Sequence, residues 1–216
     1  MLKKLFMVLL LSLGAMQAHA AGDAQLVQLI RDWDTANFTL QGDAKEKALA
    51  DLAERAKAVS AAMPNRAEPL IWQAIVLSSY AGAKGGLGAL SLVTEARDLL
   101  LKAEQIDAAA LQGSVYTSLG SLYYQVPGWP IGFGDDDKAR AYLEKALQMN
   151  PDGMDPNYFY GDFLIAEHDY KKALAVLEKA LAAPPRPGRE IADAGRRKEI
   201  MAAIDLARKK MNEPIY

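Results

Sequence analysis

Apolar residues recur at three- and four-residue spacing along most of the chain, which is the period of an amphipathic helix and not of a strand. In "ARAYLEKALQMNP" (139–151) Ala139, Leu143 and Ala146 share one face, and Pro151 stops the run. The pattern returns in "ALAVLEKALAAPP" (173–185), where Ala173, Leu177, Ala180 and Pro185 repeat it at an offset of 34 residues. A third copy, "ARDLLLKAEQIDA" (96–108), lies 43 residues before the first and keeps Ala96, Leu100 and Ala103. It has Ala108 where the proline belongs.

Each copy reads as the second helix of a pair. The first helix carries a small residue flanked by large ones: Tyr116, Leu119, Gly120 and Tyr123 in one pair, and Gly161 in the next. Ala74 holds the small position of the pair before them. Small residues let two helices approach, and the large ones fill the space between them. From Gly161 to Ala173 is 12 residues, whereas from Gly120 to Ala139 is 19, and the extra seven match "PGWPIGF". That stretch is therefore expected as a loop, 126–134, inserted between paired helices. "AKGGLGALS" predicts a second insertion, 81–91, at the same point of the preceding pair. Residues 21–66 read as a degenerate hairpin ended by Met63-Pro64, and 186–216 as a capping helix and tail. The expected fold is all-α: a right-handed superhelical solenoid of antiparallel helix pairs, with repeats at 67–108, 109–151 and 152–185 and about nine helices in all.

The period of 34 and the Tyr-x-x-Leu-Gly-x-x-Tyr spacing identify a tetratricopeptide repeat. The longer string "YYQVPGWPIGFGDDDKARAYLEKAL…NPDGMDPNYFYGDFL…PPRPGREIADAGRRKEI" is similar to exported repeat proteins related to the T component of TRAP transporter systems. That resemblance implies an all-helical periplasmic protein that assists a substrate-binding protein or handles an apolar ligand. Similar helical repeats also occur in eukaryotic regulators of microtubule dynamics, so the fold by itself does not name a partner.

The first twenty residues follow a different rule. Lys3 and Lys4 precede an apolar run from Leu5 to Met16, then Ala18-His19-Ala20, the form of a cleaved secretory signal. The formal charge of −2 becomes −4 once those two lysines leave. No later segment is long and apolar enough to span a bilayer, and nothing in the charge calls for nucleic acid. The chain has no cysteine, which excludes both a disulfide framework and a lipid anchor on Cys. A periplasmic location is the expectation.

The candidate chemistry is sparse. His168 is the histidine left after the signal and reads as a turn residue; no zinc or nucleophile motif is present, so neither a metal, a cofactor nor catalysis is expected. Asp135, Asp136 and Asp137 read as a helix N-cap and its first turn, not a calcium loop. "GAKGGLGALS" fits no phosphate-binding motif. Arg186, Arg189, Arg196, Arg197 and Lys198, interleaved with acids, read as a solvated face of the cap. The expected binding surface is a groove of first helices lined by Ile71, Ile75, Ser78, Thr117, Ser121, Tyr124, Tyr158, Asp162 and Ile165 and gated by the two loops. Trp129 and Phe133 either plug that groove or touch what it holds. Two functions follow: a protein–protein adaptor for transport or envelope assembly, with a periplasmic substrate-binding protein as one partner, or a carrier holding a small apolar ligand in a loop-closed cavity.

Overall fold

The computed structural model describes residues 2–213, with side chains from residue 21 onward. The proposed signal, 1–20, lies outside the described side chains. Among the described residues there are nine helices: α1 (Leu2–Thr39), α2 (Gly42–Ala62), α3 (Ala67–Lys84), α4 (Gly86–Asp107), α5 (Ala110–Gln125), α6 (Asp136–Met149), α7 (Met154–Ala166), α8 (Tyr170–Leu181) and α9 (Glu190–Asn212). None is long and apolar enough to cross a membrane. This is the all-α, tetratricopeptide-like solenoid of helix pairs that the periodicity predicts.

The pairs are locked by the small residues. A β-carbon on Gly120 would lie 2.6 Å from Leu143 Cγ, and one on Gly161 equally close to Leu177 Cγ. The same leucine of each second helix therefore drops into the notch of its first helix. Ala74, Ala96, Ala103, Ala139, Ala146, Ala173 and Ala180 are buried at the matching contacts, as are Tyr116, Leu119 and Tyr123. Each fully buried leucine among them contributes about 1.5–3 kcal/mol. Pro151 and Pro185 are exposed and act through the backbone, ending the second helices.

The first helices also touch one another in succession, α1 with α3, α3 with α5, α5 with α7 and α7 with α9, whereas the second helices stay apart. The stack therefore curves, with α1, α3, α5, α7 and α9 inside. It curves far enough that α9 meets α1. Five inner helices thus form a closed ring around which α2, α4, α6 and α8 sit. With neighbouring axes about 8–10 Å apart, the axes of a regular five-helix ring lie roughly 8 Å from its centre. Inward side chains are close enough to approach one another there.

The segment 81–91 is not a loop. α3 runs through Lys84 and α4 starts at Gly86, so Gly85 alone separates them. Gly85 and Gly86 have φ of +63° and +62°, which turns the chain within one residue. The remaining glycines and leucines lengthen both helices. The connection between α5 and α6 does leave helical geometry, from Val126 to Asp135. Asp135 then caps α6, its carboxylate accepting from the Lys138 N–H at 3.0 Å, and Asp169 caps α8 in the same way. At the start of α5 a single left-handed turn, Leu111, Gln112 and Gly113, intervenes before right-handed helix begins.

Candidate functional site

The ring changes the meaning of the inner face. Of the residues expected to line a groove, Ile71 and Thr117 are buried, while Ile75, Ser78, Ser121, Tyr124, Tyr158, Asp162 and Ile165 are half-buried. Ile75, Tyr124 and Ile165 pack against the main core. Ser78 and Ser121 donate to carbonyls of their own helices, Ala74 O at 2.8 Å and Ser118 O at 3.1 Å. Tyr124 donates to Asp162 at 2.6 Å, which joins α5 to α7. The two loops do not border this face; α9 does, meeting α1 and α7 at its two ends.

The arginines in the first turns of α9 and just before it hold that helix in place. They are not the solvated face that their interleaved acids suggested; among the five basic residues Lys198 alone is exposed. Arg189 makes a two-pronged ion pair with Asp34 of α1, both bonds 2.7 Å, and Asp34 is 3% exposed. The guanidinium also lies 5.1 Å from the Trp72 ring centre. Gly195 meets Phe38 so closely that any β-carbon would enter its ring. Arg196 is buried between Tyr158 and Phe159, 4.5 and 4.8 Å from their centres, and bonds Asp155 at 2.8 Å. Arg186 bridges Asp155 and Asp193, and Arg197 donates to the carbonyls of Leu181, the last residue of α8, and of Ala183 just beyond it. The acids that satisfy these arginines come from α1 and α7 as well as α9. The separation of Asp34 from Arg189 by 155 residues hides that pairing from any local reading.

These contacts set ionisation. Burial by itself would raise the Asp155 carboxyl, but Arg196 and Arg186 outweigh it and hold the group below the ordinary Asp range. Burial pushes Tyr158 up to about 12 against the opposing charge of Arg196. Burial and the Asp162 carboxylate drive Tyr124 well above its ordinary value. A lowered folded pKa gives Asp155 a contribution that is complete above the unfolded value of about 3.9 and lost as pH falls through the folded one. The raised tyrosines contribute below the unfolded value of about 10 and lose it as pH climbs through their folded values. The midpoint of thermal unfolding should therefore fall below about pH 4 and above about pH 10. Absorbance at 295 nm should keep a component that rises only above about pH 10 and that Tyr124→Phe with Tyr158→Phe removes; no loss of that component in the double variant would contradict the raised values.

The outer edge is the exposed counterpart. Between α5 and α6 the chain folds into a compact loop: Ile131 and Gly132 donate to Gly128 O, both at 3.1 Å, Gly134 to Pro127 O at 3.0 Å, and Asp135 to Tyr123 O at 2.8 Å. A side chain on Gly134 would strike the Val126 carbonyl, so the turn requires glycine there. Phe133 anchors the base, edge-on to Tyr123 at 5.6 Å and under Arg97 at 4.5 Å. The loop rests on α4, where the space beside Gly132 is bounded by Leu90. This places it on the outer-helix side, away from Tyr124 and Asp162. Trp129 is thus no plug: it is 90% exposed, and Ile131 beside it is 66% exposed. Leu87, on the first turn of α4, is 94% exposed. An open trough lined by Leu87, Leu90, Ser91, Thr94 and Leu99 runs down the flank of that helix. Nothing local in the sequence signals this exposed leucine, because the glycine run around it reads as an inserted loop.

The remaining candidates are structural. His168, with φ of 61°, sits in the α7–α8 turn and hydrogen-bonds the Tyr170 hydroxyl at 2.7 Å. Among the described residues no three acidic or histidine side chains converge in a way that could hold a metal ion.

Residues 131–194, from the loop tip through α6, α7 and α8 into α9, match a model of the tetratricopeptide repeat. No curated protein matches the chain. Tetratricopeptide repeats generally mediate protein–protein interaction and are typically non-catalytic scaffolds.

Proposed function

We propose that the chain is an exported, non-catalytic protein-binding array that engages its partner along the outer edge formed by the 126–134 loop and the first turns of α4. The observation that carries this reading is the fixed presentation of Trp129 and Ile131. A tryptophan left almost wholly in water costs solubility, and a loop braced by four backbone hydrogen bonds and a phenylalanine packed on the core loses little entropy when it docks. Exposed aromatics of this kind are the residues that dominate binding energy at protein interfaces. The repeat supports a protein partner, and the signal-like leader supports export to the periplasm, where an adaptor role in transport or envelope assembly fits the resemblance to TRAP-associated proteins. The carrier reading needs an enclosed apolar cavity, and neither 81–91 nor 126–134 closes one.

A photo-crosslinking amino acid at position 129, compared with one at the exposed Lys198, tests the surface in cells. Position 129 should give a discrete adduct that position 198 does not. Against the partner so identified, Trp129→Ala with Ile131→Ser should weaken binding at least ten-fold without changing helix content. Equal binding by that variant would remove the edge from the interface.

A further inference from the structure

We propose that the contact between α1 and α9 is a seam at which the ring opens, α9 staying on α7 and α8 while the N-terminal hairpin α1–α2 parts from it. The joints of the ring are unequal. α9 is held to α7 and α8 by an apolar cluster of its own, with Leu177, Ala180, Ile200, Ala203 and Ile204 at its centre, and by the Arg186–Asp155–Arg196 bridge. Its contact with α1 has no such core. It consists of the Asp34–Arg189 pair, the Phe38–Gly195 approach and Arg196 at 5.7 Å from the Phe38 ring. A buried ion pair returns little net stability once the desolvation of both charges is subtracted. The two sides are also the far ends of the chain, with no short connection to keep them together.

One group favours opening outright. The Trp72 ring, whose centre is 5.1 Å from the Arg189 guanidinium and 5.5 Å from that of Trp33, carries a buried indole N–H with no hydrogen-bond partner. Parting the seam gives it water, which offsets part of the loss of the ion pair. What opening uncovers is the aromatic cluster of Trp33, Phe38 and Trp72, which lies against Arg189 and Gly195 in the closed ring. Regions that open below the global unfolding free energy are those with few buried apolar contacts, and the seam is such a region.

The absence of cysteine allows a clean test. A β-carbon built on Gly195 lies 2.8 Å from Phe38 Cβ, and a small outward shift brings the pair to the spacing of about 3.8 Å that a disulfide needs. In a Trp129→Phe background the fluorescence reports Trp33 and Trp72. Asp34→Asn should raise the acrylamide quenching constant about two-fold or more, and hydrogen exchange should quicken at the end of α1 and the start of α9 while α8 and the second half of α9 keep their protection. Adding Phe38→Cys and Gly195→Cys and oxidising the pair should return quenching to the level of the Trp129→Phe parent, and reducing it should release quenching again within the same molecule. Wild-type quenching in Asp34→Asn overturns the proposal. So does protection lost evenly over α2–α8, or quenching that ignores the state of the disulfide.

Discussion

Arg189→Ala should destabilise the protein by about 3 kcal/mol, among the largest effects of any single polar substitution in the chain. The cause is the partner left behind. Asp34 is almost fully enclosed, and without the guanidinium it is a carboxylate with no counter-charge in a site walled by Trp33 and Trp72. The reverse change, Asp34→Ala, leaves a guanidinium that is 21% exposed and can reach water, so it should cost less. Replacing both by leucine should recover most of the loss, because the pair together returns little beyond its own desolvation. Urea unfolding at neutral pH measures all four chains. A loss below about 0.5 kcal/mol in Arg189→Ala, the size of an ordinary surface change, would mean that the ring is not closed in solution.

Gly161→Val should cost at least as much, about 3 kcal/mol or more, for a steric reason. A β-carbon there falls 2.6 Å from Leu177 Cγ, well inside van der Waals contact, and the next atoms of valine meet the same side chain. Leu177 is fully buried and cannot swing away, so α7 and α8 must move apart. The better helix propensity of valine over glycine recovers only a few tenths of a kcal/mol. Leu177→Ala in the same chain should restore part of the loss by making room, which distinguishes the clash from a backbone effect. A thermal midpoint within a degree or two of wild type would show that the notch is not a tight contact.

The helix pairs were legible because their determinants are local. Gly120 and Gly161 sit at a fixed distance from the alanines and leucines they face, and both partners lie within one repeat, so spacing alone pairs them. The Asp135 cap is legible for the same reason, since donor and acceptor are three residues apart. The α3–α4 turn was not. A glycine run costs helix about 1 kcal/mol per residue and normally marks a loop. Here α3 is packed on most sides as far as Ala81, and the helix runs on to Lys84 and resumes at Gly86 although residues 84–88 are exposed. The ring was not legible either. Its seam joins Asp34 to Arg189 and Phe38 to Gly195, four residues with no regular spacing, and the curvature that brings them together accumulates over every pair between. Trp129 is intermediate. The sequence marked it as special, but whether a tryptophan faces inward or outward depends on Phe133 taking the core-facing position four residues later.

Circumference fixes copy number. An open solenoid can gain or lose a unit by duplication or deletion, because each unit answers only to its neighbours and the ends are free. In this chain the first and last helices must still arrive at each other, so removing the pair between Ala110 and Met149, or doubling it, leaves two ends that no longer coincide. Such length variants should lose more stability than the deleted or added contacts account for, and their melting should broaden as the loose ends fray ahead of the middle. The wild-type chain should instead lose α2–α8 in one sharp step, with only the α1–α9 seam opening ahead of it, as exchange measured helix by helix would show.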